Sequence, residues 1–169
     1  VTPYLITAPT VQPVTLDEMK SHLRVLSTDE DADIETRLAG AVAHLDGWGG
    51  VLGRCIMSQT WAIDVTGPGP HLLPFPEASS VTATGLAGAL DVVVTRGAAG
   101  PTVTIADAEA VEPLAIQFVS ALPSPRLPAA QSLIKLMVQR EFDLMSGPEA
   151  MAMDSAISAL MNGLRWRRV

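Results

Sequence analysis

Cysteine is almost absent from this sequence: Cys55 is the single one in 169 residues. No disulfide can close within one chain, which suits a reducing compartment such as a bacterial cytoplasm. Lysine is scarce as well. Lys20 and Lys135 stand against nine arginines, and the formal net charge is −7. That balance argues against nucleic acid as a tightly held ligand, because gripping phosphates needs a basic surface. It leaves room for a negative wall that DNA slides past. No apolar run approaches the length of a membrane span, and the first residues lack the basic-then-apolar pattern of a signal peptide, so no membrane partner is expected.

The signatures of catalysis are missing too. His22, His44 and His71 fall in no HExxH or facial-triad spacing, and a lone cysteine makes no CxxC. There is no GxSxG elbow. "GPGP" (67–70) and "TGLAG" (84–88) are glycine-rich but lack the lysine and the strand–helix order of a phosphate loop. Glu109 and Glu112 form the nearest pair of carboxylates, in a loop with no partner acid or base in view. The expectation is no enzyme, no metal and no cofactor.

What is present is a folded globular composition, 48% hydrophobic and 17% charged. Residues 1–14 carry Pro3, Pro9 and Pro13 and read as an extended N-terminal arm. At Thr15 the pattern turns helical. Thr15 followed by Glu18 is a capping box, in which each side chain satisfies an orphan backbone N–H of the other. Leu16, Met19, Leu23 and Leu26 follow at helical spacing and predict a first helix over about 16–25.

The next stretch is crowded with acid: Asp29, Glu30, Asp31, Asp33 and Glu35. The alternation resembles a calcium loop, but the sixth position, which needs glycine, holds Ile34, and the twelfth, which needs glutamate, holds Gly40. A helix start explains the acids better, since the positive end of the helix dipole favours negative charge in the first turn. Ser27 or Thr28 is the expected cap, with Glu30 or Asp31 completing a box. Ile34, Leu38, Ala41, Val42, Leu45, Trp48 and Leu52 trace one stripe, and the glycines after Asp46 predict an end near residue 50.

From 56 to 122 the pattern changes to short β-branched or apolar runs, such as "SQTWAIDV", "LDVVVTRG" and "LAIQFVSAL", mostly separated by Gly, Pro or Asp. They predict a small antiparallel sheet of about five or six strands. Helical spacing returns over 126–164. One helix carries Leu133, Ile134, Met137 and Val138 and should stop at Gly147-Pro148. A last one, about 149–164, carries Met153, Ile157, Leu160, Met161 and Leu164. The fold class is therefore α+β: a four-helix bundle, two helices from each end, with an inserted antiparallel sheet. The organisation is an arm (1–14), one domain (15–164, helical over 15–55, β-rich over 56–122, helical over 126–164) and a basic tail (165–169).

The methionines of the last helix serve either as core filling or as a packing surface for another subunit. The tail Arg165-Trp166-Arg167-Arg168 is either solvated or a docking element, Trp and Arg being the residues most enriched at interface hot spots. In an acidic protein a basic tip suits an acidic partner.

The motifs together resemble the head–tail connector (adaptor) proteins of long-tailed phages, a family that also occurs in prophages and gene transfer agents. The resemblance rests on Thr15, Leu16, Glu18, Lys20, His22, Leu23, Arg24 and Val25, which match "TLxExKxHLRV". It continues at Gly53, Arg54, Gln59, Thr60 and Trp61, which match "GRxxxxQTW". Leu73, Pro74, Pro76, Ser80 and Val81 follow the "LPxxPVxSV" strand segment, and "LIKLMVQREFD" is similar to the C-terminal helix. Trp48 stands where the family usually has an aromatic residue, often tyrosine, and "GLAGALD" replaces "DxDG". The arginine- and alanine-rich composition suits a GC-rich alphaproteobacterial host.

The resemblance implies a dodecameric ring below the portal protein that extends the channel for passing double-stranded DNA and joins the head to a stopper or tail-terminator ring. It implies assembly in the bacterial cytoplasm and residence in the neck of the particle. It also implies that Met161, Leu164, Arg165, Trp166, Arg167 and Arg168 engage the portal. Two rivals stand beside it. One is a soluble module that binds a small ligand or a protein, which would need a deep apolar pocket. The other is an enzyme using Cys55 with His44 or His71.

Overall fold

A computed structural model describes residues 1–86, 88–105 and 113–166. It is α+β, with four α-helices and two antiparallel sheets among the described residues. The chain divides into two compact units. One holds Val11–Ile56 and Pro123–Arg165; the other holds Val1–Thr10, the described part of Met57–Leu122, and Trp166.

The helical unit contains α1 (Leu16–Leu23), α2 (Asp31–Leu45), α3 (Leu127–Phe142) and α4 (Gly147–Leu164). α3 is its hub and packs on α1, α2 and α4. The core follows the stripes: Met19 from α1, Ile34, Leu38 and Leu45 from α2, and Leu133, Ile134 and Val138 from α3 are all buried. At α1 the Thr15 backbone N–H donates to Glu18 Oε2 at 2.8 Å, and the Glu18 N–H donates to Thr15 Oγ1 at 3.3 Å. The helix closes at Leu23, earlier than the spacing predicts, because Arg24 takes the left-handed conformation. Leu26 therefore leaves the stripe and is 97% exposed.

The start of α2 also differs from expectation. Neither Thr28 nor Asp31 caps it by a side chain. Ser27 is used upstream instead: its hydroxyl accepts from the Asp29 N–H and donates to the Asp29 carboxylate. The helix begins at Asp31, which is paired with Lys20 of α1. Its far end is Leu45 rather than residue 50. There the chain folds back into a tight loop in which the Val51 and Leu52 N–H groups donate to the His44 and Leu45 carbonyls. A Cβ at Gly50 would collide with the Leu45 and Asp46 carbonyl oxygens, so only glycine fits that turn. Asp46 closes the loop by accepting from the Ile56 N–H at 2.6 Å.

Gly147-Pro148 is a start and not a stop. α3 ends at Phe142, the corner passes through Leu144 at φ 46°, and Pro148 occupies the first turn of α4. Its missing N–H costs nothing there.

Among the described residues the second unit holds eight strands in two sheets, where the sequence predicts five or six in one. The larger sheet has the order β1-β2-β8-β4-β5, built from β1 (Tyr4–Thr7), β2 (Gln59–Thr66), β8 (Pro113–Ser120), β4 (Ser79–Gly85) and β5 (Gly88–Leu90). β2 and β8 pair along their full lengths, from Gln59 opposite Ser120 to Thr66 opposite Pro113. The smaller sheet has the order β3-β7-β6, from β3 (His71–Leu72), β7 (Gly100–Ile105) and β6 (Val92–Gly97). "HLLPF" supplies only two strand residues, and β4 pairs antiparallel with β5, with Gly85 opposite Gly88. Within this unit Phe75 packs edge-on to Trp61 with ring centres 5.3 Å apart, and tilted on Phe118 at 6.2 Å.

Candidate assembly surfaces

α4 is long and apolar in composition, yet only Ala150 and Leu164 are buried. Met153, Ile157, Leu160 and Met161 are half-buried, and Met151 is exposed. A helix this apolar with so little burial leaves an unfinished face.

The residues expected to meet a portal do not share one fate. Leu164 is 3% exposed and belongs to the core. Met161 is half-buried, and Arg165 is exposed. Trp166 is half-buried and lies with the β-rich unit: a Cβ placed at Gly100 would stand 3.7 Å from its Cζ2 and 3.8 Å from Leu72 Cδ1. Gly100, at φ 117°, opens β7 just there. Arg167 and Arg168 lie outside the described residues.

The acidic segment is held by ion pairs and turn contacts. Asp31 pairs with Lys20, and Asp33 pairs with Arg37 one turn on, at 2.8 Å. That carboxylate holds the Arg37 guanidinium pKa above its ordinary value. Arg37 also reaches Glu141 of α3 at 3.9 Å. No three His, Cys, Asp or Glu among the described residues are placed to hold a metal ion. Thr15 holds Glu18 below the usual carboxylate range, first through its backbone N–H and then through its hydroxyl.

The enzyme reading fares poorly on geometry. The Cys55 side chain is fully buried, while His44 is exposed on α2. His71 Nε2 lies 3.0 Å from the Gly67 carbonyl oxygen. The neighbouring Arg54 is 7% exposed, and burial lowers its pKa, with Arg126 pushing the same way. Glu109 and Glu112 lie outside the described residues. Clefts among the described residues include one of about 290 Å³ lined by Ile63, Val65, His71 and Pro74 among others, and one of about 530 Å³ at the α3–α4 corner, lined by Arg37, Arg140, Leu144, Met145 and Asp154 among others.

Some exposed groups were not legible as such. Leu26 sits in a helical stripe by spacing, and Leu144 ends an apolar helix by composition. Both stand out into solvent because the backbone turns left-handed at Arg24 and at Leu144 itself. The only sequence signal was the absence of a glycine where each helix ends.

No protein-family model matches the chain, and no curated protein matches it. In fold it is similar to a chain of the solved structure described as "Neck of empty GTA particle computed with C6 symmetry". The TM-score is 0.72 at 19% identity, over 100% of this chain and 97% of that one. Both units, and not the helices alone, are therefore shared. The fold matched is that of a component of a gene transfer agent neck, as the resemblance to head–tail adaptors implies. No helix among the described residues is long and apolar enough to cross a membrane.

Proposed function

We propose that this protein is a head–tail adaptor of a phage-like particle, a structural component of the neck and not a catalyst. The observation that carries the reading is the fold likeness to a gene transfer agent neck chain over the whole of both chains. Copies assemble side by side into a dodecameric ring below the portal protein, a stoichiometry compatible with the sixfold symmetry used for that neck. A heterologous contact repeated by rotation closes into such a ring. The ring extends the DNA channel and joins the portal to a stopper or tail-terminator ring. Assembly takes place in the bacterial cytoplasm.

Physical chemistry supports the parts. A net charge of −7 suits a channel wall that repels a polyanion and so lets double-stranded DNA pass without sequence-specific binding. The under-buried face of α4, with Met161, and the end of the chain at Arg165, Trp166, Arg167 and Arg168 are the elements we assign to the portal. Leu164 supports them from the core.

Electron microscopy of particles carrying a labelled version of this chain tests the proposal. The label is expected at the neck, between portal and tail. A label on the capsid wall or the tail tube, or particles that assemble fully without the chain, would overturn it.

A further inference from the structure

Among the described residues, the two longest edge strands of the β-rich unit each have one side that no other strand pairs. β1 pairs with β2 alone among the described residues, with Leu5 opposite Trp61. It is anchored there by Tyr4, whose hydroxyl donates to Asp64 at 2.9 Å. Yet all four residues are exposed, with Leu5 at 45% and Ile6 at 46%. A strand of a half-buried sheet normally covers alternate side chains. Here both faces stay open, as well as the outer edge.

β6 shows the same pattern on the other sheet. It pairs with β7 alone among the described residues, from Val92 opposite Ile105 to Gly97 opposite Gly100. Every residue after Val92 is exposed, and Val93 is 57% exposed. The remaining edges, β3 and β5, have two and three residues, too few to template a partner strand. Neither β1 nor β6 carries lysine or an internal proline, two of the devices that blunt an edge meant for solvent; the one charge, Arg96 near the end of β6, is turned onto the Ala78 carbonyl at 2.9 Å, which leaves Val92–Thr95 as the open stretch. An open, β-branched edge of this kind recruits another strand.

We infer that β1 of one copy pairs with β6 of the next. The occupant is a second copy because one unit presents two unlike edges, of four and six residues, each with two exposed aliphatic side chains, Leu5 and Ile6 on β1 and Val93 and Val94 on β6. A head-to-tail ring needs two unlike complementary patches on each subunit, whereas a twofold dimer needs one self-complementary patch. Main-chain pairing also needs no opposite charge on the partner, which suits copies that each carry −7. The inference rests on the ring proposed above and names the contact that builds it.

Cysteine trapping tests it on the full chain. Ile6→Cys and Val93→Cys are made separately, and wild type, whose Cys55 is buried, gives the baseline. Each is treated with glutathione disulfide as oxidant, singly and as a mixture, both concentrated in solution and bound to portal-bearing heads. A mixed disulfide dimer, several-fold above either variant alone, is the expected result. Disulfides in a single variant alone indicate twofold pairing and overturn the inference. So does a mixture that stays reduced while light scattering or micrographs show rings, an outcome that leaves the neck assignment standing. A chain that stays a lone subunit both in solution and with heads overturns both. As a second variant, Ile6→Lys places a charge on the edge and is expected to reduce ring formation without altering the melting temperature of the subunit; unchanged rings count against the pairing.

Discussion

Arg140 on α3 grips Asp154 on α4, Nε to Oδ1 at 3.0 Å, while its Nη1 donates to the Met145 carbonyl at 2.9 Å. One guanidinium thus ties the two helices and the corner between them, where Leu144 holds a left-handed backbone. The pair is partly exposed, so solvent screens its charge and the carbonyl bond matters more. Arg140→Ala is expected to lower unfolding free energy by about 1–2 kcal/mol, and Asp154→Ala by no more than about 0.5 kcal/mol. Urea titration of both variants checks the order. Equal losses would shift the weight back to the ion pair.

The cap of α1 makes a prediction about both stability and pH. Thr15→Ala removes the hydroxyl that accepts the Glu18 N–H and is expected to cost about 1 kcal/mol. Glu18 titrates low in the folded protein, so its contribution is present above the ordinary glutamate pKa and is lost as pH falls through the depressed folded value. In Thr15→Ala the backbone N–H remains, so the Glu18 pKa should rise part of the way back. Carboxyl NMR titration of the two proteins reads this directly; an unmoved Glu18 would mean the hydroxyl contributes nothing.

That cap was legible because everything it needs lies within four residues. The same is true of the helical stripes, whose spacing places Ile34, Leu38, Leu133 and Val138 in the core. Features set by longer range were not legible. Gly147-Pro148 has the same letters whether it ends one helix or starts the next, and the turn at Leu144 decides which. The division of the strands into two sheets depends on Gln59 meeting Ser120 across some sixty residues and on β3 choosing β7. No local pattern encodes such a choice. At the candidate surfaces, composition pointed to Arg165 and Trp166. It could not reveal that Leu164 is core, or that Trp166 rests beside Gly100.

The aromatic cluster should dominate the stability of the β-rich unit. Phe118 is buried on β8 between β2 and β4, and Phe75 joins it to Trp61. Phe118→Ala is expected to cost about 3–5 kcal/mol, through lost transfer energy and the cavity left behind. Phe75→Leu keeps most of the volume and should cost about 1.5 kcal/mol or less. Chemical denaturation with Trp fluorescence compares them. Similar losses for both would point to ring geometry rather than volume.

The end of the chain needs a variant that spares the fold. Deleting residues 162–169 would remove Leu164, whose burial makes a loss of about 2 kcal/mol or more the expected cost. A docking defect in that deletion could then be an unfolding defect. Reversing Arg165, Arg167 and Arg168 to Glu keeps both Leu164 and Trp166. Arg165 is exposed, and a surface change of that kind usually alters stability by no more than about 0.5 kcal/mol. If the basic tip meets an acidic portal surface, the reversal turns attraction into like-charge contact and is expected to remove adaptor from portal-bearing heads in electron micrographs. The melting temperature should stay that of the wild type. Heads that fill normally with the reversed protein would take the tip out of the interface and leave the α4 face to carry the docking alone.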